Sequence, residues 1–353
     1  MANEAPKILI IGPSWVGDMV MAQTLLITLK HEHPNALIDV MAPAWSLPLM
    51  ARMPEVNQSL VLPFGHGAWQ LNSRYRMGKE LRTAGYAHAY VLPNSWKSAI
   101  IPWAARIPVR TGWLGEQRYF LLNDVRRLDK ARYPLMIEQF ISLAREPNAP
   151  LPDPLPKPYF VIAKKQLAAA MAKHKVQSTA QPILILCPGS EFGRSKRWLP
   201  AYFAEVANVK LAQGWAVWLF GSPKDVEISR SIQEKTQHRC QDLTGKTSLS
   251  EAIDLMSLAQ AVVTNDSGLM HIAAALDIRQ VVPYGSTSPQ FTPPLSDKAT
   301  VLSLNLACSP CFKRECPLQH HRCMTDLLPS MILDALENCQ TPALSSMHSS
   351  DLV

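Results

Sequence analysis

The stretch Ala261-Val262-Val263-Thr264-Asn265-Asp266-Ser267-Gly268-Leu269-Met270-His271-Ile272-Ala273-Ala274-Ala275-Leu276 decides how this chain folds. Ala261-Val262-Val263 is a short apolar run that reads as a buried strand. Leu269, Ile272, Ala273 and Leu276 then follow at the three-four spacing of a helix face. Asp266, Ser267 and Gly268 therefore fall at a strand-to-helix turn, where the first helical N–H groups have no internal partner. Free donors and the positive end of the helix dipole point the same way there, which makes the turn an anion site. Gly268 lets a phosphate approach the backbone, and His271 lies one turn in. An ordinary capped helix, with Asp266 or Ser267 as N-cap and His271 packed, accounts for the same residues equally well.

The same alternation runs through the rest of the sequence. Lys7–Ile11, Leu37–Met41 and Ala89–Leu92 read as buried strands, with helical spacing at Ala22, Leu25, Leu26 and Leu29 between the first two. Six prolines between Pro147 and Pro158 exclude a helix or central strand and mark a linker. Beyond it the pattern restarts with strands Ile183–Cys187, Ala216–Phe220, Ala261–Thr264 and Gln280–Tyr284, and a helix beginning near Pro200. Short apolar strands alternating with helices predict an α/β fold of parallel sheets covered on both faces. Two such halves, 1–155 and 156–340, each with its own core, leave a cleft between them and a frayed tail at 341–353.

A chain of 353 residues with 47% hydrophobic and 18% charged residues is that of a soluble globular protein. Apolar runs stay far below the length of a membrane span. Residues Met1 to Lys7 are too weakly basic for a secretory signal, so a cytoplasmic location is expected. The net charge of +7 is concentrated between Trp96 and Arg132, where Lys97, Arg106, Arg110, Arg118, Arg126, Arg127, Lys130 and Arg132 face only Glu116, Asp124 and Asp129. Trp96, Trp103 and Trp113 are interleaved with them. This reads either as a solvated basic face or as a site for a phosphorylated or membrane-surface ligand. No nucleic-acid motif accompanies it.

Several strand ends carry chemistry. Gly12-Pro13-Ser14-Trp15-Val16-Gly17-Asp18 closes the first strand. It lacks the G-x-G-x-x-G pattern, which removes the main support for an NAD enzyme. Asp18 is a base or a helix cap. Pro188-Gly189-Ser190-Glu191 and then Gly193-Arg194-Ser195-Lys196-Arg197-Trp198 place a glycine turn and three cations before a helix, which suits phosphate or a basic surface loop. Phe220-Gly221-Ser222-Pro223 and Leu243-Thr244-Gly245-Lys246-Thr247 add two more small-residue turns, and their convergence favours a shared nucleotide pocket. Cys308, Cys311, Cys316 and Cys323, with His320 and His321, open like a zinc knuckle but lack its second half. Free thiols in an ordered loop are favoured over structural zinc.

Ile10-Ile11-Gly12-Pro13-Ser14-Trp15-Val16-Gly17-Asp18-Met19-Val20-Met21 strongly resembles the opening of the ADP-heptose:lipopolysaccharide heptosyltransferase II family, within glycosyltransferase family 9. So do Asp39–Trp45, Val91–Ser95, Arg110–Trp113, Cys187–Gly193 and Asn265–His271, and the resemblance covers about 7–330. It implies a GT-B type fold of two Rossmann-like domains, the acceptor mainly on the first and the sugar nucleotide mainly on the second, with a final helix returning to the N-terminal domain. The implied reaction is inverting transfer of heptose from ADP-heptose to the first heptose of the lipopolysaccharide inner core, with no cofactor required.

On the matching positions, Asp18 is the implied base and Lys196 the holder of the donor diphosphate. Asp266, Ser267, Gly268 and His271 form the implied donor-binding turn, with Ser190, Gly221, Ser222 and Thr247 on loops that contact the nucleotide. Lys97, Arg110 and Arg118, with Asn94 and Ser95, would meet the phosphorylated heptosyl-Kdo-lipid A acceptor, peripherally at the cytoplasmic face of the inner membrane. The alternatives are a related enzyme adding the first or a branching heptose, and a non-catalytic binder of the lipopolysaccharide core.

Overall fold

The computed structural model describes residues 5–65, 67–176 and 180–338, so the expected tail at 341–353 lies outside the described residues. The first half contains β1 (Lys7–Ile11), α1 (Val16–Glu32), β2 (Leu37–Pro43), α2 (Leu47–Met50), β3 (Val56–Leu62) and α3 (Leu71–Glu80). It continues with β4 (His88–Val91), α4 (Ile100–Ala104), β5 (Val109–Trp113), β6 (Asp124–Arg126) and α5 (Met136–Ala144). The second half runs through α6 (Lys164–Lys173), β7 (Ile183–Cys187), α7 (Pro200–Ala212), β8 (Ala216–Leu219), α8 (Val226–Lys235) and β9 (Gln241–Asp242). It ends with α9 (Leu249–Met256), β10 (Ala261–Thr264), α10 (Gly268–Ala275), β11 (Arg279–Tyr284), β12 (Ala299–Ser303), α11 (Arg322–Thr325) and α12 (Pro329–Asn338).

The strands form two six-stranded sheets, ordered β3-β2-β1-β4-β5-β6 and β12-β11-β10-β7-β8-β9. Every pairing is parallel, as Ile10 opposite both Val40 and Tyr90 and Val262 opposite Ile185 exemplify. Counted from its own first strand, the second sheet has the same order as the first, read from the opposite edge. Each half is thus a doubly wound unit of Rossmann topology. Its strand order reverses between β1 and β4 in one half and between β7 and β10 in the other. A crevice opens outside the carboxyl ends of the strands at such a switch point.

Helices cover both faces of each sheet, so central strands such as β7, Ile-Leu-Ile-Leu-Cys, are buried at every position. The inner faces do not make two separate cores. One continuous apolar cluster joins Ile10, Leu25 and Ile141 of the first half to Ile185, Ile253 and Ile272 of the second. This differs from the expected one core per domain, because α1 is wedged between its own sheet, α5 and α10. Smaller clusters lie on the outer faces, around Leu9, Val91 and Ile101 and around Leu186, Phe203 and Ile332.

The passage between halves, residues 145–163, is pinned to both. Tyr159 N–H donates to Gln23 Oε1 at 3.0 Å, Phe160 N–H to the Ala275 carbonyl at 2.9 Å and Val161 N–H to the Arg52 carbonyl at 3.0 Å. Beside it the Arg52 guanidinium crosses to the second half. It pairs with Asp254 and donates to the Ser250 carbonyl at 3.1 Å and Ser250 Oγ at 3.0 Å. Both charged side chains are buried, at 3% and 2% exposure. The last described helix does not return to the first half as the resemblance implied. Ile332 and Leu336 of α12 pack with Phe203 of α7 and Val281 of β11.

Candidate active site

The two switch points hold the loops picked out in the sequence. β1 ends in the Gly12–Asp18 loop and β4 in Leu92–Ser95, while β7 ends in Pro188–Ser190 and β10 in Asn265–Ser267. Asn265 ties the second pair together. Its side chain donates to the Pro188 carbonyl at 2.7 Å and accepts from Trp198 N–H at 3.0 Å. A short helical turn, Arg194–Lys196, then delivers Lys196 into the crevice.

Lys196 Nζ lies 2.6 Å from Asp266 Oδ2, with both side chains largely buried. Thr287 Oγ1 donates to the same carboxylate oxygen at 2.5 Å, and Lys196 also sits 4.8 Å over the Phe192 ring. Ser267 begins α10 in extended conformation with no side-chain cap, which leaves the first amides of that helix without a capping side chain. A lysine, an uncapped helix start and strand-end turns in one crevice are features that suit an anionic group such as a phosphate.

Asp18 approaches this cluster from the other half. It occupies the first turn of α1, and no hydrogen bond or ion pair ties its carboxylate to a described residue. Burial pushes its pKa up to about 6, against Lys196, whose charge draws it back down. A carboxylate tuned toward neutrality, with its oxygens uncommitted, is suited to general-base work.

Two glycines allow the halves to meet here. A Cβ on Gly17 would stand 2.6 Å from His271 Cδ2, and one on Gly268 would stand 2.7 Å from Val16 Cβ. The starts of α1 and α10 are therefore in contact across the boundary. His271 is buried beneath α1. Burial lowers its pKa to about 4, with Asp266 pulling it up and Lys196 pushing it down. Its neutral ring lies between α1 and the Asp266–Gly268 turn.

The remaining expected donor residues fare unevenly. Ser190 is buried, and its carbonyl accepts from Arg197 at 3.1 Å. Gly221 and Ser222 flank Asp225, whose carboxylate accepts from Ser222 N–H at 2.9 Å and from Ser222 Oγ at 2.7 Å. That hydroxyl is committed to the local turn. Thr247 is half-buried on the loop after β9.

The basic segment does not form one charged face. Arg118 is fully buried and its guanidinium is spent on the scaffold. It donates to the carbonyls of Trp113 at 2.8 Å, Pro93 at 2.5 Å and Ser95 at 3.2 Å, and to Asn94 Oδ1 at 3.4 Å. Desolvation lowers its pKa to about 10, with Glu116 opposing. Arg110 lies near the amino end of β5, away from the crevice, and donates to the carbonyls of Leu121 and Ile107. The expectation that Arg118 meets an acceptor phosphate is corrected to a structural role, while Arg110 stays half-exposed with part of its guanidinium on backbone carbonyls. Lys97, half-exposed after the Asn94-Ser95 loop, makes no ion pair with a described residue.

Cys308, Cys311, Cys316 and Cys323 line one cavity with His320 and His321, and Cys308 Sγ is 4.0 Å from His320 Nε2. Among the described residues no three His, Cys, Asp or Glu side chains are placed to hold a metal ion. The segment does have a visible task. The Arg314 carbonyl accepts from Ser195 N–H at 3.1 Å, which anchors the turn that carries Lys196. The sequence reading missed this contact, and it missed Thr287. Thr287 follows β11 in Gly285-Ser286-Thr287, one more small-residue strand end that was open to the same inference.

Comparison with known proteins agrees with this geometry. The model of glycosyltransferase family 9 (heptosyltransferase) matches residues 74–322. The chain is 46% identical to a lipopolysaccharide heptosyltransferase 2 of Salmonella typhimurium over 94% of its own length and 98% of that protein. It is 48% identical to a lipooligosaccharide heptosyltransferase 2 of Haemophilus influenzae over the same shares. The solved structure of Escherichia coli ADP-heptose LPS heptosyltransferase II superposes with a TM-score of 0.84 at 43% identity, covering 94% of this chain and 98% of that one. With a family match over most of its length and relatives near half identity, the chain belongs to glycosyltransferase family 9, the heptosyltransferases.

Proposed function

We propose that the protein transfers L-glycero-D-manno-heptose from ADP-heptose to the first heptose of the lipopolysaccharide inner core, by an inverting single displacement. One observation carries this reading: Asp18 of one half faces the Lys196–Asp266 pair of the other across the two switch points. The relatives named heptosyltransferase 2 support the choice of sugar and acceptor.

In the proposed step, an acceptor hydroxyl oxygen bonds to the anomeric carbon while the bond from that carbon to the β-phosphate oxygen breaks. Asp18 accepts the hydroxyl proton, and ADP departs with the bonding electron pair. A positioned base contributes about 10²–10⁴ in rate. Lys196 and the first amides of α10 meet the charge growing on ADP, where preorganised donors are most effective. Asp266 and Thr287 hold Lys196 in place until the diphosphate arrives, and Asp266 is then available to heptose hydroxyls. Lys97, beside Asn94 and Ser95, faces the anionic acceptor. The glycolipid acceptor brings the protein peripherally to the cytoplasmic face of the inner membrane. Among the described residues no helix is long and apolar enough to cross one.

The deciding experiment is ADP release with a defined mono-heptosylated core acceptor, with and without ADP-heptose, followed by linkage analysis of the product. Acceptor-dependent ADP release and a new heptose on the existing heptose are expected. Release only with a heptose-free acceptor would overturn the assignment in favour of first-heptose transfer.

A further inference from the structure

The first half carries a second surface feature, outside the crevice. Helices α3 and α4 pack so closely that a Cβ on Gly78 would lie 2.5 Å from the Ile101 carbonyl oxygen. Beside this contact lies a groove lined by Leu71, Tyr75, Trp96, Trp103 and Phe120. Phe120 is 91% exposed and Trp103 43%, and the Tyr75 and Trp103 rings stand 6.0 Å apart. Exposed apolar side chains are ordinary when scattered, but several large aromatics on one groove mark an interaction surface.

Its rim is cationic. Lys79 Nζ lies 5.3 Å from the Tyr75 ring centroid, Arg76 is exposed on the same helix, and Arg106 follows Trp103 with its N–H on the Trp103 carbonyl at 3.0 Å. The nearby acids are Glu80 on α3 and Glu116, which accepts from Trp96 N–H at 2.6 Å. Amphipathic aromatic rings belong at a boundary between water and hydrocarbon, and lysine and arginine are drawn to anionic headgroups. The groove also runs on from Trp96, which directly follows the Asn94-Ser95 loop at the mouth of the crevice.

We infer that the Tyr75–Trp103–Phe120 groove is the surface by which the protein docks on an anionic bilayer, holding the crevice mouth toward the glycolipid. The inference rests on the proposed acceptor, and it assigns the membrane contact to named residues. The cations bring the surface to the membrane, and the rings enter the interfacial layer. No helix needs to insert.

The test is co-sedimentation of the whole chain with vesicles of phosphatidylglycerol and phosphatidylethanolamine that contain no lipopolysaccharide. Binding is expected, weakened by high salt and by replacing phosphatidylglycerol with phosphatidylcholine. The double variant Trp103→Ser/Phe120→Ser should lose ~10-fold in vesicle affinity, since apolar contact supplies much of interfacial binding. It should keep the parent melting temperature and turn over a deacylated, water-soluble acceptor at the parental rate. Parental vesicle affinity in the variant, or no binding by the parent, overturns the inference. So does a concentration-dependent dimer of the parent that the double variant abolishes, because the groove would then serve a second copy. Failure of the parent on the soluble acceptor counts against the proposed reaction and leaves the vesicle result standing.

Discussion

Gly17 and His271 touch across the boundary between the two halves: an added Cβ on Gly17 would stand 2.6 Å from His271 Cδ2. The start of α1, which carries Asp18, is therefore set against the Asp266–Gly268 turn by one missing side chain and one buried ring. Gly17→Ala should push α1 away and cost about 10²-fold in kcat, the scale of an ångström-level misplacement of reacting groups. His271→Ala in the Gly17→Ala background removes the obstruction and should restore part of the rate. Independent, additive losses in the two substitutions would show that the contact does not set the geometry.

Asp18 titrates in a useful range. With its pKa raised to about 6, chiefly by burial, the carboxyl is protonated below that pH and ionised above it. Turnover should fall as pH drops through about 6 and level off above. Asp18→Asn should lower kcat by about 10²–10⁴ while sparing donor affinity.

Stability should move the opposite way. An unfolded aspartate ionises near pH 4 and the folded Asp18 only near 6, so its favourable contribution at low pH is lost between those values. Asp18→Asn should thus raise Tm at pH 8 and leave it unchanged near pH 4, as thermal melts at the two values can check.

Lys196 has two effects that separate experimentally. It pairs with Asp266 at 2.6 Å, and its charge holds the Asp18 pKa down. Lys196→Ala should weaken ADP-heptose binding and slow turnover. It should also shift the acid limb of the pH–rate profile to higher pH. A slower enzyme with an unmoved limb would mean that Lys196 does not sense Asp18.

Arg118 and Lys97 should respond differently to neutralisation. Arg118 is buried among carbonyls, so Arg118→Met leaves acceptors unpaired and should cost on the order of 3 kcal/mol of stability. Lys97→Ala should leave Tm alone and raise the acceptor KM, and added salt should mimic it, because exposed charges are screened. Denaturant melts and acceptor titrations distinguish the two outcomes.

The legible parts of this fold were the segments buried on both sides. Ile183–Cys187 and Ala261–Thr264 are continuous apolar runs, and their strands match the sequence reading residue for residue. β3 and β12, at the sheet edges, were not read as strands. Their residues are partly exposed, and an edge needs no unbroken apolar run. β6, Asp124-Val125-Arg126, is mostly charged and gives no hydrophobic signal at all. The loops bearing Asp18, Lys196 and Asp266 were legible because glycine and small residues cluster at strand ends. Arg118 was not, since a sequence shows a charge without showing the carbonyls of Pro93, Ser95 and Trp113 that absorb it.

Arg52 and Asp254 meet where the connecting segment passes, with the Arg52 carbonyl accepting from Val161 N–H at 3.0 Å. An ion pair enclosed this way cannot be wetted without being broken, and losing one partner strands the other in an apolar setting. The pair therefore fastens the two halves to each other where α2 meets α9, alongside the apolar core they share. Because this pair is shielded from ions, its hold should persist at salt concentrations that screen the half-exposed charge of Lys97.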